Sequence, residues 1–331
     1  MTAFTLTSRL PWLTGVRSLR SIPLQTRTVA SLSPMTATAE RVRRAMLYVP
    51  GSEESKIKKS LTSPADCVIY DLEDSVAANR KGAAREMVFE ALKLGTESKS
   101  ELAVRINAVS SGLAFDDLNV VLQSKQLQAI VIPKVESAKD VNFVCQLIDS
   151  LAVESNRDNI QLVACVESAL GVMNLREIAT ASPRVGALLF AAEDYCADLG
   201  LHRSRQKMEM LYARSALVTA AHAFGLQAID LVCMDFRNPD VLAEECANGR
   251  DMGFTGKQAI HPNQVEVIQN TFMPSEEQVM RAQRIVEGYA ASEKEGKGAY
   301  GLDGEAIDMP VYKWAQKILS RVNKARTSVD N

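Results

Sequence analysis

The sequence is short of the residues that mark several common chemistries. Only three histidines occur, His202, His222 and His261, and none stands in an HExxH string or a recognisable serine-nucleophile pattern. Zincin and Ser-His-Asp hydrolase chemistry therefore have no local support. The six cysteines, Cys67, Cys145, Cys165, Cys196, Cys233 and Cys246, contain no CxxC pair. Their spacing fits neither a zinc site nor a small disulfide scaffold, so reduced, buried thiols are expected. No apolar run approaches the roughly 18 residues of a membrane-spanning helix. The longest, over 185–192, suits a buried strand. A basic excess is also missing, because the net charge is −2. A general nucleic-acid binder would carry one. Neither a membrane nor a nucleic acid is expected as a partner.

Acid is missing locally as well. Residues 1–39 hold Arg9, Arg17, Arg20 and Arg27 and no Asp or Glu; the first acid is Glu40. Serine and threonine are abundant there, interleaved with Leu, Ile, Trp and Phe. This is the composition of a mitochondrial transit peptide, basic and amphipathic, and it points to the mitochondrial matrix. A secretory signal would need a continuous apolar core of about 7–15 residues, and none is present.

What the rest of the chain has is alternation. Short runs rich in Val, Ile and Leu recur at 45–49, 67–71, 102–106, 129–133, 161–166, 187–191, 228–232 and 257–260. Most lack apolar/polar alternation, as strands covered on both faces do. Helical patterns separate them, for example over 80–94, 137–151, 206–224 and 239–252. The spacing predicts an α/β fold, a (β/α)8 TIM barrel over 40–272, in preference to an open doubly wound sheet. A small C-terminal helical extension follows over 273–324, with helices at 275–293 and 310–322, and a flexible tail over 325–331. The string Gly296-Lys297-Gly298-Ala299-Tyr300-Gly301 satisfies GxGxxG, but no strand precedes it and no helix opens from it. It is read as part of a flexible hinge over 296–304 rather than a dinucleotide site.

A barrel of this kind does its chemistry at the C-terminal ends of its strands. Five consecutive exits deliver charge there: Asp71-Leu72-Glu73-Asp74, Arg105-Ile106-Asn107, Lys134-Val135-Glu136, Glu167 and Glu193-Asp194. Such a polar rim is costly to build without a ligand or an ion. Carboxylates without His or Cys suit a hard cation, Mg2+ or Mn2+, with Glu167 and Asp194 as the best ligand pair. Arg105 is placed to pair with a substrate carboxylate. A metal beside an arginine fits a 2-keto acid and carbon–carbon bond chemistry next to its carbonyl. A salt-bridge ring that only locks the barrel mouth is the alternative use of these residues.

The segments Arg44-Ala-Met-Leu-Tyr-Val-Pro-Gly51, Tyr70-Asp-Leu-Glu-Asp-Ser75, Val104-Arg-Ile-Asn107, Ile132-Pro-Lys-Val-Glu136, Val166-Glu-Ser168 and Ala192-Glu-Asp194 resemble the citrate lyase beta-subunit family of the HpcH/HpaI aldolase group. Gly253-Phe-Thr-Gly-Lys-Gln258, Ile260-His-Pro-Asn-Gln264 and Ile307-Asp-Met-Pro310 carry the likeness through the extension, so that it spans about 43–322. The resemblance implies a Mg2+-dependent lyase that cleaves (3S)-citramalyl-CoA to pyruvate and acetyl-CoA, with a malate-synthase-type side activity on glyoxylate. It implies Glu167 and Asp194 as metal ligands and Arg105 as the keto-acid clamp. Tyr48, Lys59, Ile260 and His261 fall at the CoA end, and Asp308 is the implied acid/base. Glu73 is expected to orient metal-bound water or Arg105. The resemblance further implies a homotrimer in which the extension caps a neighbouring subunit. One departure concerns the CoA phosphates: where the family has a further lysine between Pro50 and Lys59, this chain has Ser55 followed by Lys56. A pyruvate-class aldolase without CoA, and a non-catalytic barrel within a lyase assembly, are the competing readings.

Overall fold

Eight short apolar runs become eight parallel strands that close into one barrel in chain order. The computed structural model describes residues 41–294, 296 and 298–330, with side chains through Asn323. The expected transit segment lies outside the described residues. The strands are β1 (Ala45–Pro50), β2 (Cys67–Asp71), β3 (Glu101–Arg105), β4 (Ala129–Ile132), β5 (Gln161–Val166), β6 (Val185–Phe190), β7 (Gln227–Asp230) and β8 (Gly256–Ala259). Between and after them run α1 (Glu54–Ser60), α2 (Lys81–Leu94), α3 (Ala114–Val121), α4 (Ala138–Leu151), α5 (Ala169–Met173), α6 (Leu175–Thr180), α7 (Ala192–Leu199), α8 (Leu211–Ala223), α9 (Pro239–Met252) and α10 (Val265–Phe272).

Closure is decided where β8 meets β1, in register from Ala45↔Lys257 to Leu47↔Ala259. A Cβ at Gly256 would lie 1.9 Å from the Arg43 carbonyl oxygen, so only glycine lets the last strand come this close. The open-sheet alternative is thereby excluded. Alternate strand positions point inward, and Met46, Ile69, Val131, Val163, Leu189 and Ile229 fill the barrel with Cys67 and Cys165 beside them. The opposite positions, such as Leu47, Tyr70 and Ile132, pack under the helices against Val88, Leu118 and Val144. All six cysteines are free, five of them buried and Cys145 half-buried, as their apolar settings predict.

The end where the strands begin is sealed by charge. Arg43 meets the buried Glu101 carboxylate with Nε at 2.6 Å and Nη2 at 2.7 Å, and Arg41 adds a contact at 2.8 Å. Burial alone would raise the Glu101 pKa, but the two arginines outweigh it and hold it below the usual value.

The C-terminal extension has its own small core. Helices α11 (Glu276–Lys294) and α12 (Met309–Asp330) pack through Ala282, Ile285, Tyr289, Ala315 and Ile318, with Tyr289 stacked on Tyr312 at 4.5 Å. Two expectations are corrected here. From Tyr300 on, the glycine-rich stretch is not a loose hinge: β9 (Tyr300–Leu302) and β10 (Glu305–Ile307) form an antiparallel hairpin. Its Asp303-Gly304 turn has both φ angles positive, 50° and 86°, the geometry that two-residue hairpins require. Tyr300 lies over Gly288, and its hydroxyl donates to the Ile285 carbonyl at 3.1 Å. The last helix also runs past Val322, so the segment expected as a tail is helical to Asp330. Lys317, Ser320 and Arg321 of α12 border a cavity with Arg41, Arg43 and Gln227, so the extension lies at the end where the strands begin. Among the described residues, no helix is long and apolar enough to cross a membrane.

Candidate active site

The rim at the strand exits is assembled from the β1 turn outward. Gly51 donates its N–H to the Asp71 carbonyl at 2.8 Å, and a Cβ at that position would sit 2.7 Å from the same oxygen. Glycine thus lets the exit of β1 press against the end of β2. Asp71 ends β2, and Arg105 ends β3 as its register partner. Arg105 donates Nε to Asp71 Oδ1 and Nη2 to Asp71 Oδ2, each at 2.7 Å. Its Nη1 forms an ion pair with Glu73 Oε2 at 2.8 Å, and its Cζ stands 4.9 Å from the centre of the Tyr48 ring. Asp71 also accepts the N–H groups of Glu73 and Ser75, which winds the loop tightly after β2. Burial works against the Asp71 carboxylate, yet the Arg105 fork outweighs it and lowers its pKa. Glu73 has the opposite balance: burial exceeds the pull of Arg105 and Lys134, and its pKa is raised.

Lys134 follows β4 with φ at 51°. Its Nζ reaches Glu73 Oε1 at 2.8 Å, Asp74 Oδ2 at 3.3 Å and Asp194 Oδ1 at 3.7 Å. Glu167 comes directly after β5 and is 3% exposed, and neither of its carboxylate oxygens has a hydrogen-bond partner. Burial, then the charges of Glu73 and Asp194, push its pKa up to about 8. The Lys134 backbone amide and Arg105 offset this only in part, and neither meets its oxygens in a hydrogen bond. Asp194, in the first turn of α7, is far more open. A cavity of about 250 Å³ lies over this rim, lined by Tyr48, Asp71, Arg105, Asp194, Gln258 and Ile260 among others.

The fit to a metal follows from these donors. Among the described residues no group of three or more His, Cys, Asp or Glu side chains is spaced to hold an ion alone. One buried, unpartnered carboxylate beside one open carboxylate is instead the donor set of Mg2+, which keeps several waters and takes one or two protein carboxylates. The residues present fit that ion.

The structure brings together Tyr48, Glu73, Arg105, Glu167, Asp194 and Ile260 among the sequence candidates. It keeps three others apart from the cavity. Lys59 is exposed in the last turn of α1; its neighbours Lys56 and Lys58 pair with Glu53 and Glu54. His261 accepts the Asn263 N–H at 3.2 Å and stacks on Phe236 at 5.1 Å, a loop-ordering arrangement. Asp308 is exposed and caps α12 by accepting the Val311 N–H at 3.2 Å, outside the cavity lining. Two features escaped the sequence reading. Asp71 engages two of the Arg105 donor nitrogens, so the arginine is already oriented by the protein. Arg203 bonds Glu193 and donates to the Val232 carbonyl at 2.8 Å, tying the β6 exit to the β7 exit. The signal for Asp71 was a carboxylate as the last residue of a buried strand.

Known proteins are similar to this chain in sequence and in fold. The sequence profile described as HpcH/HpaI aldolase/citrate lyase matches residues 44–262, the barrel from β1 to the loop after β8. The chain belongs to this family. It is 40% identical to the mitochondrial citramalyl-CoA lyase of Homo sapiens, over 84% of this chain and 85% of that one. It is 36% identical to the citrate lyase subunit beta of Escherichia coli K12, over 85% and 93% of the two chains. Among solved structures, the CitE protein of Mycobacterium tuberculosis in complex with magnesium, acetoacetate and coenzyme A superposes with a TM-score of 0.70 at 30% identity. That match covers 86% of this chain and 99% of the other.

Proposed function

We propose that the chain is a Mg2+-dependent carbon–carbon lyase that cleaves (3S)-citramalyl-CoA to pyruvate and acetyl-CoA. The same site would run the malate-synthase-type condensation of glyoxylate with acetyl-CoA as a side activity. The observation that carries the reading is Glu167: a carboxylate is kept buried and unpartnered on a rim that already holds an oriented arginine. That arrangement is costly unless a cation completes it. The relatives' names and the ligands of the CitE complex support the substrate class.

Glu167 and Asp194 would hold Mg2+, which when bound supplies positive charge to the keto and carboxylate oxygens of the substrate. Arg105, braced by Asp71 and Glu73, turns its remaining donors toward the substrate carboxylate and binds it. Tyr48 packs on the guanidinium face and sets its plane. Ile260 provides an apolar edge for the thioester arm, and Lys59, exposed outside the cavity lining, would supply charge to the CoA phosphates beyond it, with His261 ordering the loop beside Ile260. When the carbon–carbon bond breaks, the substrate's tertiary hydroxyl gives up its proton and becomes the keto oxygen of pyruvate, the electron pair passes to the thioester enolate, and the terminal carbon of that enolate takes up a proton. Asp308 is the donor in this reading. It is exposed and outside its own chain's cavity, so it would serve a second copy in a homotrimer, with the extension excluding water there. The acid-free residues 1–39 and the mitochondrial relatives support import into the mitochondrial matrix.

The test is direct. Purified protein mixed with Mg2+ and citramalyl-CoA should release pyruvate and acetyl-CoA, and chelation should stop the release. Turnover of free citramalate at the same rate would instead assign a pyruvate-class aldolase without CoA. No turnover of either compound would overturn the lyase reading.

A further inference from the structure

The rim carries more acid than two metal ligands need, and one ammonium already stands among the carboxylates. Glu73 and Asp74 follow β2, Asp194 opens α7, and all three face Lys134 from the exit of β4, at 2.8, 3.3 and 3.7 Å from its Nζ. Its backbone is held in the left-handed region, φ 51°, which a side chain bearing a Cβ enters only at a cost. The following residue fixes it there: Val135 is fully buried and donates its N–H to the Cys165 carbonyl at 3.0 Å. The Cα is therefore pinned while the four-carbon stem stays partly open to solvent. A lysine in this place is a compact charge on a flexible arm, able to withdraw from one carboxylate and keep another.

We infer that the Lys134 ammonium is the resident competitor of the divalent cation, holding Asp194 and Glu73 in place while the metal is away and weakening its binding when it arrives. The inference rests on the metal-centre reading above. An ion held by Glu167 and Asp194 takes over a carboxylate that Lys134 now faces, and like charges at this range repel strongly in a partly buried site. The ammonium then falls back on Glu73 and Asp74, the two nearer partners. Binding thereby becomes an exchange of one cation for another, which keeps the site assembled but the metal exchangeable. A purely structural role predicts the reverse sign: without Lys134 the carboxylates would spread and hold the metal less well.

The test is a titration of Mn2+ into the full-length protein, followed by the loss of the free-ion paramagnetic resonance signal. Lys134→Asn removes the charge with a residue that tolerates a positive φ. Lys134→Gly removes the charge and the Cβ together, and keeps the titration decisive should the asparagine disturb the fold. Both variants are expected to bind Mn2+ at least about tenfold more tightly than the wild type. Lys134→Arg should stay close to the wild type. Unchanged or weaker binding in the Asn and Gly variants overturns the inference. A wild type that binds no Mn2+ overturns the metal centre itself.

Discussion

Asp71 and Arg105 are register partners at the last positions of adjacent strands, joined by two parallel 2.7 Å hydrogen bonds. The guanidinium that faces the cavity is thus aimed by the sheet itself rather than by a loop. Replacing Asp71 with Asn leaves a half-buried arginine facing a neutral amide, with Glu73 as its remaining charged partner. Loss of hydrogen bonds to a charged partner costs about 1.5–3 kcal/mol of stability, and kcat/KM should also fall. Arg105→Lys keeps the charge but not the planar fork, and should lower kcat/KM at least about tenfold. Urea unfolding and steady-state kinetics on both variants check this; wild-type kinetics in Arg105→Lys would refute the clamp.

Glu167→Gln and Asp194→Asn should each abolish metal-dependent turnover while the circular dichroism spectrum stays native. Calorimetry should show Mg2+ binding weakened at least about tenfold, the worth of one lost charge-assisted contact. Unchanged affinity in both variants would remove these residues from the metal centre.

The buried, unpartnered state of Glu167 has a consequence for stability without metal. Its carboxyl is raised from 4.5 to about 8 in the folded protein. Between those values the folded state keeps a proton that the unfolded chain has released, so this group's contribution to stability falls as pH rises from about 4.5 to about 8. Glu167→Gln removes that loss. In chelator, its Tm should be above the wild type's at pH 8 and converge with it near pH 4.5. A constant difference across that range would rule out the titration.

Asp308→Asn should preserve Mg2+ and CoA binding and lower turnover by roughly 10²–10⁴-fold, the usual worth of a general acid–base. A residue that only caps α12 would instead cost about 1 kcal/mol of stability and little activity. Co-expression of Asp308→Asn with Asp194→Asn separates the geometries. If the acid comes from a second copy, mixed oligomers regain sites holding both native residues. If both residues act within one chain, no activity returns.

Most of the barrel was legible because its strands are covered on both faces. Runs such as 129–133 and 161–166 have few other uses in a chain of this composition. The acidic exits were legible for the same reason, since a charge ending a buried run must sit at a rim. The Asp71–Arg105 pairing was not, because register between two strands is a relation that neither strand's sequence carries. The hairpin at 300–307 was missed although Asp303-Gly304 is a strong turn pair. The surrounding glycines suggested looseness, and the packing of Tyr300 over Gly288 depends on a helix many residues earlier. Asp308 was proposed on resemblance alone, and its place outside its own chain's cavity follows from the packing of α12 at the opposite end of the barrel.

The extension keeps a core of its own, from Ala282 to Ile318, separate from the cores inside and around the barrel. The two parts therefore answer to different contacts. The rim, locked into strand register, resists change, because any substitution there is felt by the whole sheet. The helical appendage packs mainly on itself, so a change within its core should be felt first in the extension and less in the barrel. The molecule is thus expected to lose its two parts separately on heating, the small helical pair opening while the closed barrel still stands.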